Sequence, residues 1–143
     1  GIRLSTRPDC ITEEILDNLK NYGVTEIELG VQSMCDDVLT ANNRGHTSDD
    51  VINAVSLIRK YNFSLGLQQM TGSYRDSDEA DIHTAEKICD LKPDFVRIYP
   101  TLVFNNTDLA DYYKSGLYTP HTLDHAVDLC KKITASSFAK DSR

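Results

Sequence analysis

The chain predicts an α/β fold in which about four βα units build one parallel sheet. Three observations lead there. Short apolar runs alternate with amphipathic stretches at helical spacing along the 143 residues. The connections contain helices of about 10–15 residues, and crossovers of that length join parallel neighbours in the right-handed sense. Every apolar run also ends in hydrogen-bonding side chains, where parallel sheets carry their sites. Four such units are half of an eight-unit barrel, or a small open sheet.

The elements follow in order. Ile2-Arg3-Leu4-Ser5-Thr6 reads as a strand that starts almost at residue 1. Thr12 caps a helix with Glu13 and Glu14 in its first turn, where the helix dipole favours them. Ile15, Leu16, Leu19 and Tyr22 recur at helical spacing, and Gly23 ends the helix. Ile27, Leu29 and Val31 alternate as a second strand, and a short helical turn is expected between Cys35 and Asn42. Thr47 or Ser48 caps the next helix, with Val51, Ile52, Val55 and Ile58 on one face. Phe63, Leu65 and Leu67 form a third strand. Ser77 starts a helix running to about Leu91, and Pro93 separates it from a fourth strand, Asp94 to Tyr99. The loop from Pro100 to Thr119 holds a short helix near Leu109. Thr122 caps a last helix carrying Ala126, Val127, Cys130 and Ile133. The small, polar tail, residues 135–143, is expected to fray.

Composition narrows the function. Hydrophobic residues make up 40% and charged residues 26%, as in ordinary globular chains. No apolar run approaches the roughly 18 residues of a membrane span, and no secretion signal is visible, so no membrane partner and a cytoplasmic location are expected. A net charge of −7 argues against a nucleic-acid-binding face on this segment. Cys10, Cys35, Cys89 and Cys130 are dispersed, with no Cys-x-x-Cys and no loop suited to an iron-sulfur cluster. His121 and His125 lie four apart but lack an evident third ligand, so no metal site is expected.

The strand ends carry the candidate site. The first ends in Ser5-Thr6-Arg7-Pro8, the second in Gln32-Ser33, the third in Gln68-Gln69 and then Thr71-Gly72, and the fourth in Tyr99-Pro100-Thr101. An amide offers both donors and an acceptor, which suits a neutral, polyfunctional ligand such as a nucleoside. Arg44 follows the second strand by a dozen residues. Its guanidinium suits a carboxylate, or else pairs at the surface with Asp49 or Asp50.

Arg3-Leu4-Ser5-Thr6-Arg7-Pro8-Asp9, Glu28-Leu29-Gly30-Val31-Gln32-Ser33, Asn43-Arg44-Gly45-His46-Thr47, Arg97-Ile98-Tyr99-Pro100-Thr101-Leu102-Val103 and Gly116-Leu117-Tyr118-Thr119-Pro120 occur in that order. Together they resemble the central part of radical S-adenosylmethionine enzymes. The nearer likeness is to the branch of the elongator catalytic subunit, and oxygen-independent coproporphyrinogen III oxidase is a more distant cousin. The resemblance implies a partial TIM-type barrel and a cofactor-binding role for residues 1–143. It implies that Gln32, beside Ser33, contacts bound S-adenosylmethionine, that Arg44 binds its methionyl carboxylate, and that Gln68 lies near the ribose. Ser5 stands where relatives often carry an acid. Relatives usually continue Leu-Pro-Gly after the third strand; here the chain reads Ser73-Tyr74-Arg75.

In that family a [4Fe-4S] cluster donates an electron to the sulfonium, and the resulting 5′-deoxyadenosyl radical abstracts hydrogen. The cluster cysteines would precede Gly1, so this chain is expected to be an inactive fragment of a parent that modifies a tRNA base or performs a coproporphyrinogen-oxidase-like reaction. Two other readings are a half-barrel binding or scaffold module, and a fragment of an aldolase-type barrel, which would want a lysine at a strand end. Two open sheet edges also lead to an expectation of self-association.

Overall fold

The computed structural model describes residues 1–138. Four strands form one sheet in the order β1 (Ile2–Thr6), β2 (Val24–Gln32), β3 (Ser64–Thr71) and β4 (Phe95–Pro100). Every neighbouring pair is parallel, as the crossover lengths require. The helices are α1 (Glu13–Asn21), α2 (Asp36–Ala41), α3 (Ser48–Lys60), α4 (Asp78–Asp90), α5 (Asp108–Lys114) and α6 (Leu123–Ile133). Among the described residues no helix is long and apolar enough to cross a membrane.

Hydroxyl caps set the helix starts. Thr12, Thr47, Ser77, Thr107 and Thr122 each accept a hydrogen bond from the backbone N–H three residues on. Thr47 adds the reciprocal half, since Asp50 accepts from the Thr47 N–H at 2.7 Å. Thr47, rather than Ser48, is therefore the cap.

Side-chain alternation gives the sheet two unlike faces. Leu4, Ile27, Leu29, Val31, Leu65, Leu67 and Val96 belong to the core that packs under the helices, with Leu16 of α1, Val51, Val55 and Ile58 of α3, and Ile88 of α4. A smaller cluster joins Ala85 of α4 to Leu129 and Ile133 of α6, with Ile98 of β4 against it. The opposite face carries the register partners Ser5 and Glu28, Glu28 and Gly66, and Gln68 and Arg97. β1 and β4 are the sheet edges.

The structure departs from the sequence reading at element margins. Ile15, Tyr22, Ile52 and Val127, expected on buried helix faces, are exposed. Their neighbours Leu16, Val51, Ala54 and Leu129 take the core positions, because a single covering layer buries only a narrow stripe of each helix. Pro8–Cys10 forms an unforeseen 3₁₀ turn, with proline at its start where no N–H is needed. The tail expected to fray from residue 135 continues α6 as a π-helical segment, Thr134–Phe138. The Cys89 thiol donates to the Ser137 carbonyl within it, at 2.6 Å. Residues 139–143 lie outside the described residues.

Leu29 has no exposed surface and sits on an inner strand. Leu29→Ala is expected to cost about 2–5 kcal/mol in denaturant unfolding. Ile52→Ala, at a residue 47% exposed, should cost no more than about 0.5 kcal/mol. Similar losses in the two variants would contradict the assignment of the sheet's covered face.

Candidate functional site

The last residue of β2 breaks the sheet's regularity. Between Gly30 and Gln32 the register with β3 shifts, so that Gly30 faces Gln68 while Gln32 faces Gln69. Gln32 has φ +66°, a left-handed conformation that costs a non-glycine residue about 1–3 kcal/mol and gathers at ligand sites. The turn lays the Gln32 amide back over Gly30, where a Cβ would stand 2.8 Å from Gln32 Nε2. Gln32 Oε1 is buried and accepts no hydrogen bond.

The loop after α2 brings Arg44 to the same end of the strand. His46 is buried, and its Nε2 donates to the Val31 carbonyl at 3.0 Å. The Ser48 N–H donates to Asp36 at 2.8 Å. These ties fold the segment 42–47 back over the β2 end. Among the described residues the half-buried Arg44 guanidinium makes no ion pair, and neither Asp49 nor Asp50 partners it. Burial, and then the nearby positive charge of Arg7, lower its pKa from the usual arginine value. A partly buried cation beside a like charge is a site that favours an anion.

Gln32, Ser33 and Arg44 line one cavity of about 250 Å³ with Asn42, Tyr74 and Tyr112. The volume falls just below the roughly 300 Å³ at which pockets for drug-sized ligands begin, so it suits one end of such a molecule. The Ser33 hydroxyl is engaged structurally: it lies 3.3 Å from Thr84 Oγ1 and accepts from the Cys35 N–H at 3.1 Å. The Ser73-Tyr74-Arg75 departure shapes the opposite wall. The Tyr74 ring lies 4.5 Å from that of Tyr112, and the Tyr74 carbonyl accepts from the Asn42 amide at 2.8 Å.

Gln68 and Ser5 belong to a second group, on the open face of the sheet. Gln68 Nε2 donates to Glu28 at 2.7 Å and to Ser5 Oγ at 3.4 Å. Glu28 also accepts from Arg3 at 2.5 Å, and Arg97 stands 3.5 Å away. Its carboxylate is fully buried although its strand face bears no helices. Gly66 leaves the space over β3 in which the Phe95 ring lies, and both arginines rest against that ring. The sequence reading missed Glu28. The signal was an acid at an off-core strand position with arginines at off-core positions of the first and fourth strands.

Beyond the β3 end, Asp81 Oδ2 accepts from the Gly72 N–H at 3.0 Å and its carbonyl accepts from the buried Gln69 amide at 2.7 Å. Burial, followed by the neighbouring Asp76 charge, pushes the Asp81 carboxyl up to about 8. Burial raises Asp76 as well. Together they hold the turn that presents Tyr74.

A parallel half-barrel whose strand ends carry an unpaired arginine and an unsatisfied amide has the architecture of a barrel enzyme's ligand-binding rim. The chain belongs to the Radical SAM superfamily, whose family model matches residues 1–88; the Radical_SAM C-terminal domain matches residues 93–141. A tRNA uridine(34) acetyltransferase of Methanocaldococcus jannaschii is 33% identical over 129 residues, 88% of this chain and 24% of that protein. The archaeal Methanocaldococcus infernus Elp3 superposes with a TM-score of 0.89 at 30% identity, covering 95% of this chain and 33% of that one. Coproporphyrinogen III oxidase (HemN) from Escherichia coli shares the fold, with a TM-score of 0.76 at 17% identity over 94% of this chain and 31% of its own. The chain spans about a quarter of the length of the curated relatives it matches.

Members of this superfamily bind S-adenosylmethionine and a [4Fe-4S] cluster. The residues present do not fit the cluster. Cys10, Cys35, Cys89 and Cys130 are far apart in the sequence, and among the described residues no metal-binding group of side chains includes a cysteine. They do fit the amino-acid end of the cofactor, through the open charge of Arg44 and the unsatisfied Gln32 Oε1.

The raised Asp81 carboxyl yields a pH prediction. The folded chain holds its proton where the unfolded chain, with a pKa near 3.9, has released it. This contribution is fully present below about pH 4 and is lost as pH rises through about 8. Unfolding free energies of the parent chain minus those of Asp81→Asn should fall between those limits. A flat difference across that range would place Asp81 in an ordinary carboxylate environment.

Proposed function

We propose that this chain forms the cofactor-binding rim of a radical S-adenosylmethionine core in a cytoplasmic tRNA-modifying protein. The observation that carries the reading is the Arg44 guanidinium, half-buried beside Arg7 and without an ion pair among the described residues, at a cavity lined also by Gln32, whose buried amide oxygen is unsatisfied. Arg44 receives the methionyl carboxylate through charge-assisted hydrogen bonds. Gln32 donates and accepts through its amide at the β2 end, held there by the left-handed turn. Ser33 fixes that turn from beneath through Thr84. Tyr74 and Tyr112 close the wall and exclude water.

Gln68 and Ser5 act one layer deeper. Gln68 presents its amide toward the ribose from the Glu28 network, and Ser5 supports it from β1. One-electron cleavage of the sulfonium is chemistry supplied by the cofactor and by a cluster whose ligands lie outside this chain. The tRNA reading rests on the M. jannaschii relative, and this acidic segment binds the cofactor rather than the nucleic acid. The sheet edges β1 and β4, with exposed Leu102 and Phe104 after β4, support self-association of the chain when nothing else covers them.

Isothermal calorimetry of S-adenosylmethionine against the chain and Arg44→Ala tests the proposal. Binding should weaken by about 1.5–3 kcal/mol, while Arg44→Lys retains part of it because the charge remains. Unfolding stability should be little changed, since Arg44 makes no ion pair among the described residues. Equal affinity in all three proteins would remove Arg44 from the site.

A further inference from the structure

We propose that Asp78, His121 and His125 form a divalent-cation site of the kind zinc occupies, joining the start of α6 to the start of α4. None of the three lines the cavity under Arg44. Asp78 is the first residue of α4, after the Ser77 cap. His121 precedes Thr122, the cap of α6, and the His125 N–H donates to that cap's hydroxyl. The cap places both imidazoles on one side, stacked with centroids 4.0 Å apart and planes inclined by 15°.

Both rings direct Nε2 at the same carboxylate. His125 Nε2 lies 2.9 Å from each Asp78 oxygen, and His121 Nε2 lies 3.9 Å from Oδ1. The three donor atoms fall within 4.8 Å of one another. Tetrahedral zinc with bonds of about 2.0–2.2 Å holds its ligand atoms roughly 3.3–3.5 Å apart, so the observed separations bracket those of a loaded site.

The position of His121 is built in. A Cβ at Gly72 would stand 2.8 Å from His121 Nδ1, so the ring packs against the turn after β3. Nε2 is left as the nitrogen facing Asp78. Two imidazoles and one carboxylate suit zinc and its neighbours rather than calcium or magnesium. A fourth position remains for water.

The ion would tie residues on either side of the boundary between the two family matches, Asp78 before it and the histidines after it. α6 has reason to need such a tie. Leu129 and Ile133 anchor its C-terminal half, whereas Leu123 is 79% exposed at its start.

The test is a zinc titration of the metal-free chain in competition with a chromophoric chelator. One equivalent should bind, and amide exchange at the start of α6 should slow on loading. Asp78→Asn and His125→Ala should each weaken binding by more than about tenfold. His83→Ala, at an exposed histidine elsewhere on α4, should bind as the parent does. Cobalt in place of zinc should give a tetrahedral spectrum without a thiolate charge-transfer band. Absence of binding, unchanged affinity in folded Asp78→Asn or His125→Ala, or a thiolate band would each overturn the site.

Discussion

Period-two alternation along β2 is the constraint on which the rest depends. Ile27, Leu29 and Val31 point toward the helices and are wholly buried. Glu26, Glu28, Gly30 and Gln32 belong to the other set. Slipping this strand by one residue would place the Glu28 charge in the apolar core and the leucine on the open face. The helices therefore cover one side only. The open side solves its own problem, since a fully buried carboxylate needs partners and Glu28 obtains them from Arg3, Gln68 and Arg97 on three different strands. That network ties β1, β2, β3 and β4 together beneath the rim.

At the rim the alternation stops. The register shift after Gly30 and the left-handed conformation of Gln32 turn an amide that would continue the sheet into one that overhangs it. His46 and Asp36 then hold the following loop so that Arg44 stands over the same end. A strained backbone, an unsatisfied amide oxygen and an unpaired guanidinium are each costly to a folded chain, and all three occur around one cavity. This concentration separates the Arg44 cavity from the larger apolar trough between β4 and α6, lined by residues such as Leu102, Leu123 and Val127 without comparable unsatisfied polar groups.

The turn after β3 links the rim to the C-terminal half of the chain. Gly72 donates to Asp81, accepts from the Tyr118 hydroxyl at 2.7 Å and leaves room for the His121 ring. Residues 72, 81, 118 and 121 thus meet within a few ångströms although they come from three separate segments. The aromatic wall of the cavity, made by Tyr74 and Tyr112, rests on this junction.

Sequence alone determined the order and type of the elements. Hydroxyl residues before acidic first turns located the helix starts at Thr12, Ser77 and Thr122, because capping is a local interaction. Alternating apolar residues located the four strands, and connection length made them parallel. Of the residues that the sequence placed at one rim, Gln32 and Arg44 line one cavity, whereas Gln68 stands outside it. Only the tertiary structure decided what depends on distant partners. It buried Glu28 by aligning arginines from β1 and β4, and it committed Gln68 to that acid rather than to the Arg44 cavity. It engaged Ser33 with Thr84, and it brought Asp78 to two histidines more than forty residues away. Those outcomes follow from sheet register and helix docking, which bring into contact side chains that no local pattern relates.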